Sequence, residues 1–169
     1  MFDNRNLKLD LCALGLLATV IFSGLALVSY DPADPIPPLV EPLDRLYQPD
    51  ILVHPTHTVP HNICGKWGAL LADLMLNLLG LGSYYLVFSL GVLDLLLLRR
   101  QSTDSIVLRT FGWLASLVGL PALAAALVPG LSPGPVIGSG GYLGALVATL
   151  LEIHFALTGS VILAVSLTL

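Results

Sequence analysis

The sequence predicts an all-α integral membrane protein. Its four transmembrane helices form two parallel helical hairpin repeats, each with a short interfacial helix before the returning span. Composition is the first reason. Hydrophobic residues make up 56% of the chain and charged residues 11%, whereas a soluble domain carries about 25% charged residues. The second is an internal near-duplication. Gly65, Gly68, Ala69, Leu70, Ala72 and Leu74 answer to Gly141, Gly144, Ala145, Leu146, Ala148 and Leu150. After a one-residue slip, Gly82, Ser83, Leu86, Ser89 and Leu90 answer to Gly159, Ser160, Leu163, Ser166 and Leu167. Such a repeat sets the architecture before any single residue does. The third is the placement of positive charge. Arg5, Lys8, Arg99, Arg100 and Arg109 flank one set of span ends, against only Arg45 and Lys66 on the other side. Basic residues near span ends stay in the cytoplasm.

The first span is expected at about 11–29. Leu11 to Val28 is uncharged and long enough to cross, which takes roughly 17–25 residues. No small-residue cleavage site follows it, so it reads as an anchor rather than a removable signal. An outer loop then runs over 30–66. Its prolines (Pro32, Pro35, Pro37, Pro38, Pro42, Pro49, Pro55, Pro60) make most of it extended or irregular. Leu43 to Tyr47 has room for one helical turn.

The second hydrophobic stretch, Gly68 to Leu98, would be roughly 46 Å long as one helix, too long for a hydrocarbon core of about 30 Å. Gly80-Leu81-Gly82 offers a break. An interfacial helix at about 67–79 and a crossing at about 83–98 follow. Lys66, Asp73 and Asn77 give the short helix a polar stripe, expected to face headgroups or a partner. A cytoplasmic link covers 99–105, a third span about 106–128, and a short outer turn 129–139. The second copy mirrors the first: an interfacial helix at about 141–155, a break at Thr158-Gly159-Ser160, and a fourth span at about 158–169. Phe155 to Leu169 makes roughly 22 Å of helix, short of a full crossing. This ending is expected to continue beyond the chain as part of a longer protein.

These residues also carry a resemblance. Ser29-Tyr30-Asp31-Pro32-Ala33-Asp34-Pro35 resembles the Ser-x-Asp-Pro-x-Asp-Pro signature of FtsK/SpoIIIE-type DNA translocases. Asn62-Ile63-Cys64-Gly65-Lys66-Trp67-Gly68-Ala69-Leu70-Leu71-Ala72-Asp73 is similar to that family's Asn-x-x-Gly-x-x-Gly-Ala-x-x-Ala-Asp element, and Gly140-Gly141-Tyr142-Leu143-Gly144 to its Gly-Gly-x-x-Gly element. The resemblance covers nearly the whole chain. It implies a four-span N-terminal membrane domain that anchors a cytoplasmic ATP-driven motor at the division septum of the bacterial inner membrane, with both ends cytoplasmic. It further implies a role in cell division and chromosome partition, division proteins as partners, and a homo-oligomer, the family motor being a hexamer. The Pro- and His-rich outer loop departs from the family pattern.

No phosphate loop of the Gly-x-x-x-x-Gly-Lys-Ser/Thr type occurs in the chain; Gly65-Lys66 lacks the first glycine and the hydroxyl. These residues are therefore not expected to hydrolyse ATP. ATP, Mg and DNA belong to the motor, and no cofactor is expected here. A net charge of −4 argues against a general nucleic-acid surface.

Other candidates are weaker. His54, His57, His61 and Cys64 are residue types that suit zinc, but their spacing is not that of paired structural zinc ligands, so no metal is assigned. A zinc enzyme using this loop is the remotest alternative. No Ser, His and acid are set together as a hydrolase triad, and no catalytic residue is assigned. Cys12 and Cys64 fall near opposite membrane faces and are expected to stay unpaired. Asp73, Asp94 and Glu152 are acids in apolar surroundings, so a small channel or transporter with these acids along its path is the main alternative. The bland expectations are an interfacial Asp73, an Asp94 snorkelling to the cytoplasmic boundary near Arg99, and a Glu152 near the outer leaflet. Gly65, Gly68, Ala69, Ala72, Gly141, Gly144, Ala145 and Ala148 are candidate packing or oligomer contacts, because small residues let membrane helices approach. Arg99, Arg100 and Arg109 set topology and meet anionic lipid.

Overall fold

The computed structural model describes residues 7–38, 41, 43–47, 57–99, 106–131 and 138–168. His54, Arg5 and Arg100 lie outside them, as do most of the 99–105 link and of the 129–139 turn. Among the described residues all regular structure is helical. The elements are α1 (Leu7–Val28), α2 (Leu43–Leu46), α3 (Gly65–Leu79), α4 (Gly82–Leu98), α5 (Ile106–Leu127) and α6 (Gly141–Thr168). Three helices are long and apolar enough to cross a membrane: Asp10–Val28, Leu108–Leu127 and Gly141–Thr168. Taken together, α3 and α4 supply a fourth span, bent by 110° at its break. The molecule is thus a membrane protein, with three to four candidate spans among the described residues.

The side chains sort as a bilayer requires. Large apolar residues point outward, with Leu11 60%, Phe88 72%, Leu108 73% and Ile153 70% exposed. In water such a surface would be an aggregation hazard; in lipid it is the matched solvent. The interior is built from small residues instead. Ala13, Ala26, Ala69, Ala72, Ala122, Ala148 and Ala164 are all buried. Without a hydrophobic drive between helices in lipid, close backbone approach gives the van der Waals attraction. Ala26, Leu27, Ala72 and Leu76 make the central cluster, with Tyr30, Met75 and Val87 packed on it.

α1 packs on α3 and α4, and α5 pairs with α6. Gly119 lets α5 meet the end of α6: a Cβ there would lie 2.9 Å from Leu167 Cβ. A short crossing of polar groups links α4 to α5, where Trp113 Nε1 donates to Ser89 Oγ at 2.8 Å.

The bend between α3 and α4 has a clear cause. Gly80 ends α3 with φ 55, its N–H still donating to Leu76 O. Its missing Cβ makes room for the carbonyl of Ser139, which accepts the N–H of Leu81 at 2.7 Å. Gly141 (φ 61) meets the same spot from the other side, 2.6 Å from Gly80 N if it carried a Cβ. Gly140 and Gly144 press on the backbone of Pro121, the proline inside α5. Ser139 Oγ donates to Ala124 O at 2.7 Å, and Ser83 Oγ to Met75 O at 2.6 Å. The bend, the proline and the start of α6 therefore form one knot of backbone contacts.

The second break differs from the sequence expectation. It falls at Ala156 (φ 53, ψ 175), not at Thr158-Gly159-Ser160. Gly159 serves a different purpose: a Cβ there would lie 2.9 Å from Phe155 Cβ, so it lets the chain fold back against the preceding turn. The step from Gly65 to Gly141 also carries Gly80 onto Ala156. Both members of each pair have positive φ.

Candidate functional site

The richest polar constellation lies where the C-terminal end of α1 meets the start of α3. It begins in the Asp-Pro repeat. Asp31 closes an Asx-type turn by accepting the N–H of Ala33 at 2.9 Å through Oδ1. Asp34, buried, accepts two backbone N–H groups from the far end of the loop: His61 at 2.7 Å and Asn62 at 2.9 Å. Those bonds tie the loop's last residues to its first.

Asn62 then joins the helices. Its side-chain amide donates to Ala26 O at 2.9 Å and Ser29 O at 3.3 Å, two carbonyls left without helical partners at the end of α1. Its side-chain carbonyl accepts the N–H of Cys64 at 3.0 Å, just ahead of α3. Ser29 Oγ accepts the N–H of Ile63 at 3.1 Å, and Cys64 Sγ donates to Phe22 O at 3.5 Å. Gly68 is buried against this staple: a Cβ there would run into Asn62 Oδ1 and Cys64 Cβ. Gly65 opens α3 with φ 67.

One turn deeper, Asp73 is 7% exposed. Tyr30 donates its hydroxyl to Asp73 Oδ1 at 2.9 Å, and Tyr47 donates to Oδ2. Asn77 in turn donates to the Tyr47 hydroxyl at 2.9 Å. Tyr47 follows α2, so this pair of bonds seats the middle of the α1–α3 loop on α3. Burial, then the neighbouring Asp73 carboxylate, push the Tyr30 hydroxyl well above the ordinary tyrosine range. Burial and the bond to Asp73 do the same for Tyr47. The Asp31 carboxyl is held below the ordinary range, first by the Ala33 N–H and then by His57 and His61.

Several expectations change here. Asp73 and Asn77 do not face headgroups; both are buried and spoken for by tyrosines, and only Lys66 of the stripe is exposed. Asp94 does not snorkel. It is 1% exposed, and its Oδ1 has no hydrogen-bond partner among the described residues. It continues the α4 stripe of Val87 and Gly91, which meets Gly24 and Val20 of α1. Glu152 is exposed on α6. The three acids therefore sit in unlike surroundings.

His57 and His61 converge on Asp31, not on Cys64, whose sulfur turns to α1. Both cysteines are free. Of the small residues, Gly68, Ala69, Ala72, Gly141, Gly144 and Ala148 are buried within the chain, and Gly65 and Ala145 are half-buried. Arg99 and Arg109 are exposed, as is Pro32, while Pro35 is half-buried. Sequence reasoning missed Tyr30 and Tyr47 as partners of Asp73, and Asn77 as a partner of Tyr47. Tyr47 lies 26 residues from Asp73 with no periodic pattern between them.

In the cap Asp34, Asn62, Gly68 and Asp73 each satisfy a neighbour or clear space for it. A family model described as the 4TM region of DNA translocase FtsK/SpoIIIE matches residues 5–169. The chain belongs to the FtsK/SpoIIIE 4TM family. It is a membrane domain of that translocase family. Searches of curated proteins and of solved structures gave no match. In this 4TM domain the Asp-Pro turn, Asn62 and Asp73 form a polar cap set on the end of α1 and the start of α3.

Proposed function

We propose that this 4TM domain is the non-catalytic membrane anchor and assembly platform of a DNA translocase acting in cell division and chromosome partition. Family membership over residues 5–169 carries the reading. The absence of a phosphate-loop motif from these residues supports a non-enzymatic role. The mechanism is positional. A capped, small-residue bundle gives a motor a rigid attachment point, and the cap offers division proteins an ordered outer face. The domain sits in the bacterial inner membrane at the septum, with both ends cytoplasmic, following Arg99, Arg109 and the other basic flanks. It associates as a homo-oligomer, a hexamer when matched to its motor, and meets DNA only through that motor. The shared positive φ of Gly65 with Gly141 and of Gly80 with Ala156 supports two parallel hairpin repeats.

The test is a fusion of this domain to a fluorescent reporter in dividing bacteria. A band at mid-cell is expected; uniform membrane fluorescence from intact fusion would refute septal recruitment. A cysteine placed beside Arg100 should resist an impermeant thiol reagent applied from the periplasm. Labelling there would overturn the orientation.

A further inference from the structure

We propose that Asp31, His57 and His61 form a zinc site that staples the two ends of the outer loop. The site stands on its own geometry and does not depend on the anchoring role. One atom from each residue (Asp31 Oδ2, His57 Nε2, His61 Nδ1) converges, all within 4.8 Å of one another. Asp31 Oδ2 lies 3.3 Å from His57 Nε2 and 3.4 Å from His61 Nδ1. With metal–ligand bonds of about 2.0–2.1 Å, neighbouring ligands of a tetrahedral zinc ion are about 3.3–3.4 Å apart. Two edges of the tetrahedron are therefore already at the required length. The imidazoles are stacked, with centroids 4.1 Å apart, and the third edge, within 4.8 Å, has to shorten as the rings turn onto the ion.

The ligands are also held from behind. Ala33 N–H occupies Asp31 Oδ1, leaving Oδ2 free for a metal. His57 donates its backbone N–H to Ala33 O at 2.8 Å, and His61 donates its own to Asp34 Oδ1 at 2.7 Å. All three ligands are thus pinned to a single turn, the outer-shell support that metal sites need. Two imidazoles and one carboxylate favour zinc over magnesium or calcium. Side-chain exposures of 31%, 38% and 62% leave the fourth position open to water. On binding, the ion takes the place of any proton shared between Asp31 and the imidazoles, and that proton is released to solvent. Metal at this point ties residues just after α1 to residues just before α3, next to the Asn62 staple.

The experiment uses the purified 169-residue chain in detergent, stripped with a chelator and titrated with zinc chloride by calorimetry. One equivalent should bind and raise the thermal unfolding midpoint. His57→Gln with His61→Gln should weaken binding by roughly tenfold or more, while Cys64→Ser should leave it unchanged. Cobalt(II) gives an independent readout: a tetrahedral nitrogen–oxygen spectrum without a thiolate charge-transfer band, unaltered by Cys64→Ser. Zinc binding by the double histidine variant equal to that of the natural chain would overturn the proposal. So would a thiolate band in the cobalt spectrum, or no zinc uptake by the folded natural chain.

Discussion

Asn62 donates its side-chain amide to the carbonyl of Ala26, 36 residues earlier, at 2.9 Å, in a buried position. The same side chain also serves Ser29 and Cys64. Three backbone groups at two helix ends thus depend on one amide. Removing it strands buried polar groups, each costing about 1–3 kcal/mol. Asn62→Ala should lower the unfolding free energy by about 2–4 kcal/mol. Asn62→Asp should be worse, because it sets a carboxylate oxygen against two carbonyls. Denaturant titration in detergent, followed by circular dichroism, checks the order.

Gly68 depends on that amide for its identity. A Cβ there would collide with Asn62 Oδ1, an atom fixed by its bond to Cys64. Gly15, in α1, has nothing within 4 Å of the same built atom. Gly68→Ala should therefore cost about 1–3 kcal/mol through overpacking. Gly15→Ala should be neutral or slightly stabilising, since alanine is the better helix former. Equal thermal midpoints for the two variants would contradict the close contact.

The tyrosine pair gives a pH signature. Tyr30 and Tyr47 hold their protons more tightly when folded, through burial and the Asp73 carboxylate. A raised folded pKa contributes stability that is complete below the unfolded value, about 10 for tyrosine. As pH climbs past that value the unfolded chain sheds protons that the folded chain keeps, so stability falls. Thermal midpoints should decline from about pH 10 upward. Tyr30→Phe combined with Tyr47→Phe should flatten that decline while lowering the midpoint at neutral pH, where Asp73 loses two donors. Scans across the alkaline range measure both effects.

The membrane character, the helices and the motif residues were legible because they rest on local signals: hydrophobic run length, glycine punctuation and short spacings. Gly80 could be read as a break because its flanks name it. The roles inside the cap were not legible. Asp34 finds its partners 27 and 28 residues away, and Tyr30 reaches Asp73 across 43. Such pairings carry no periodicity, so Asp73 read as an interfacial acid. The histidines were visible as a cluster with Cys64, but their spacing matched no known ligand pattern and Asp31 was not among them. Only folding brings the Asx turn at Asp31 there. Asp94 read as a snorkelling group because of its distance from Arg99. Its burial follows from the turn of α4 that aims Val87 and Gly91 at α1.

The last prediction follows from the internal near-duplication. Gly80 and Ala156 are separated by the same sequence step as Gly65 and Gly141, and both have φ near +55. Glycine tolerates that backbone at no steric cost. Alanine does not: with ψ 175, Ala156 lies in a region that is essentially glycine-only, at a cost of roughly 1–3 kcal/mol. Two effects oppose each other in Ala156→Gly. Relief of this strain stabilises, while added freedom in the unfolded chain costs about 0.4–1 kcal/mol. Relief is the larger, so the variant should gain about 1 kcal/mol. The reciprocal change separates strain from mere helix breaking. Gly80→Ala would add both a strained φ and a collision with the Ser139 carbonyl, so it should destabilise by more than Ala156→Gly gains. If Ala156→Gly instead lowers the unfolding midpoint in detergent, the residue is helical in solution and the break lies elsewhere.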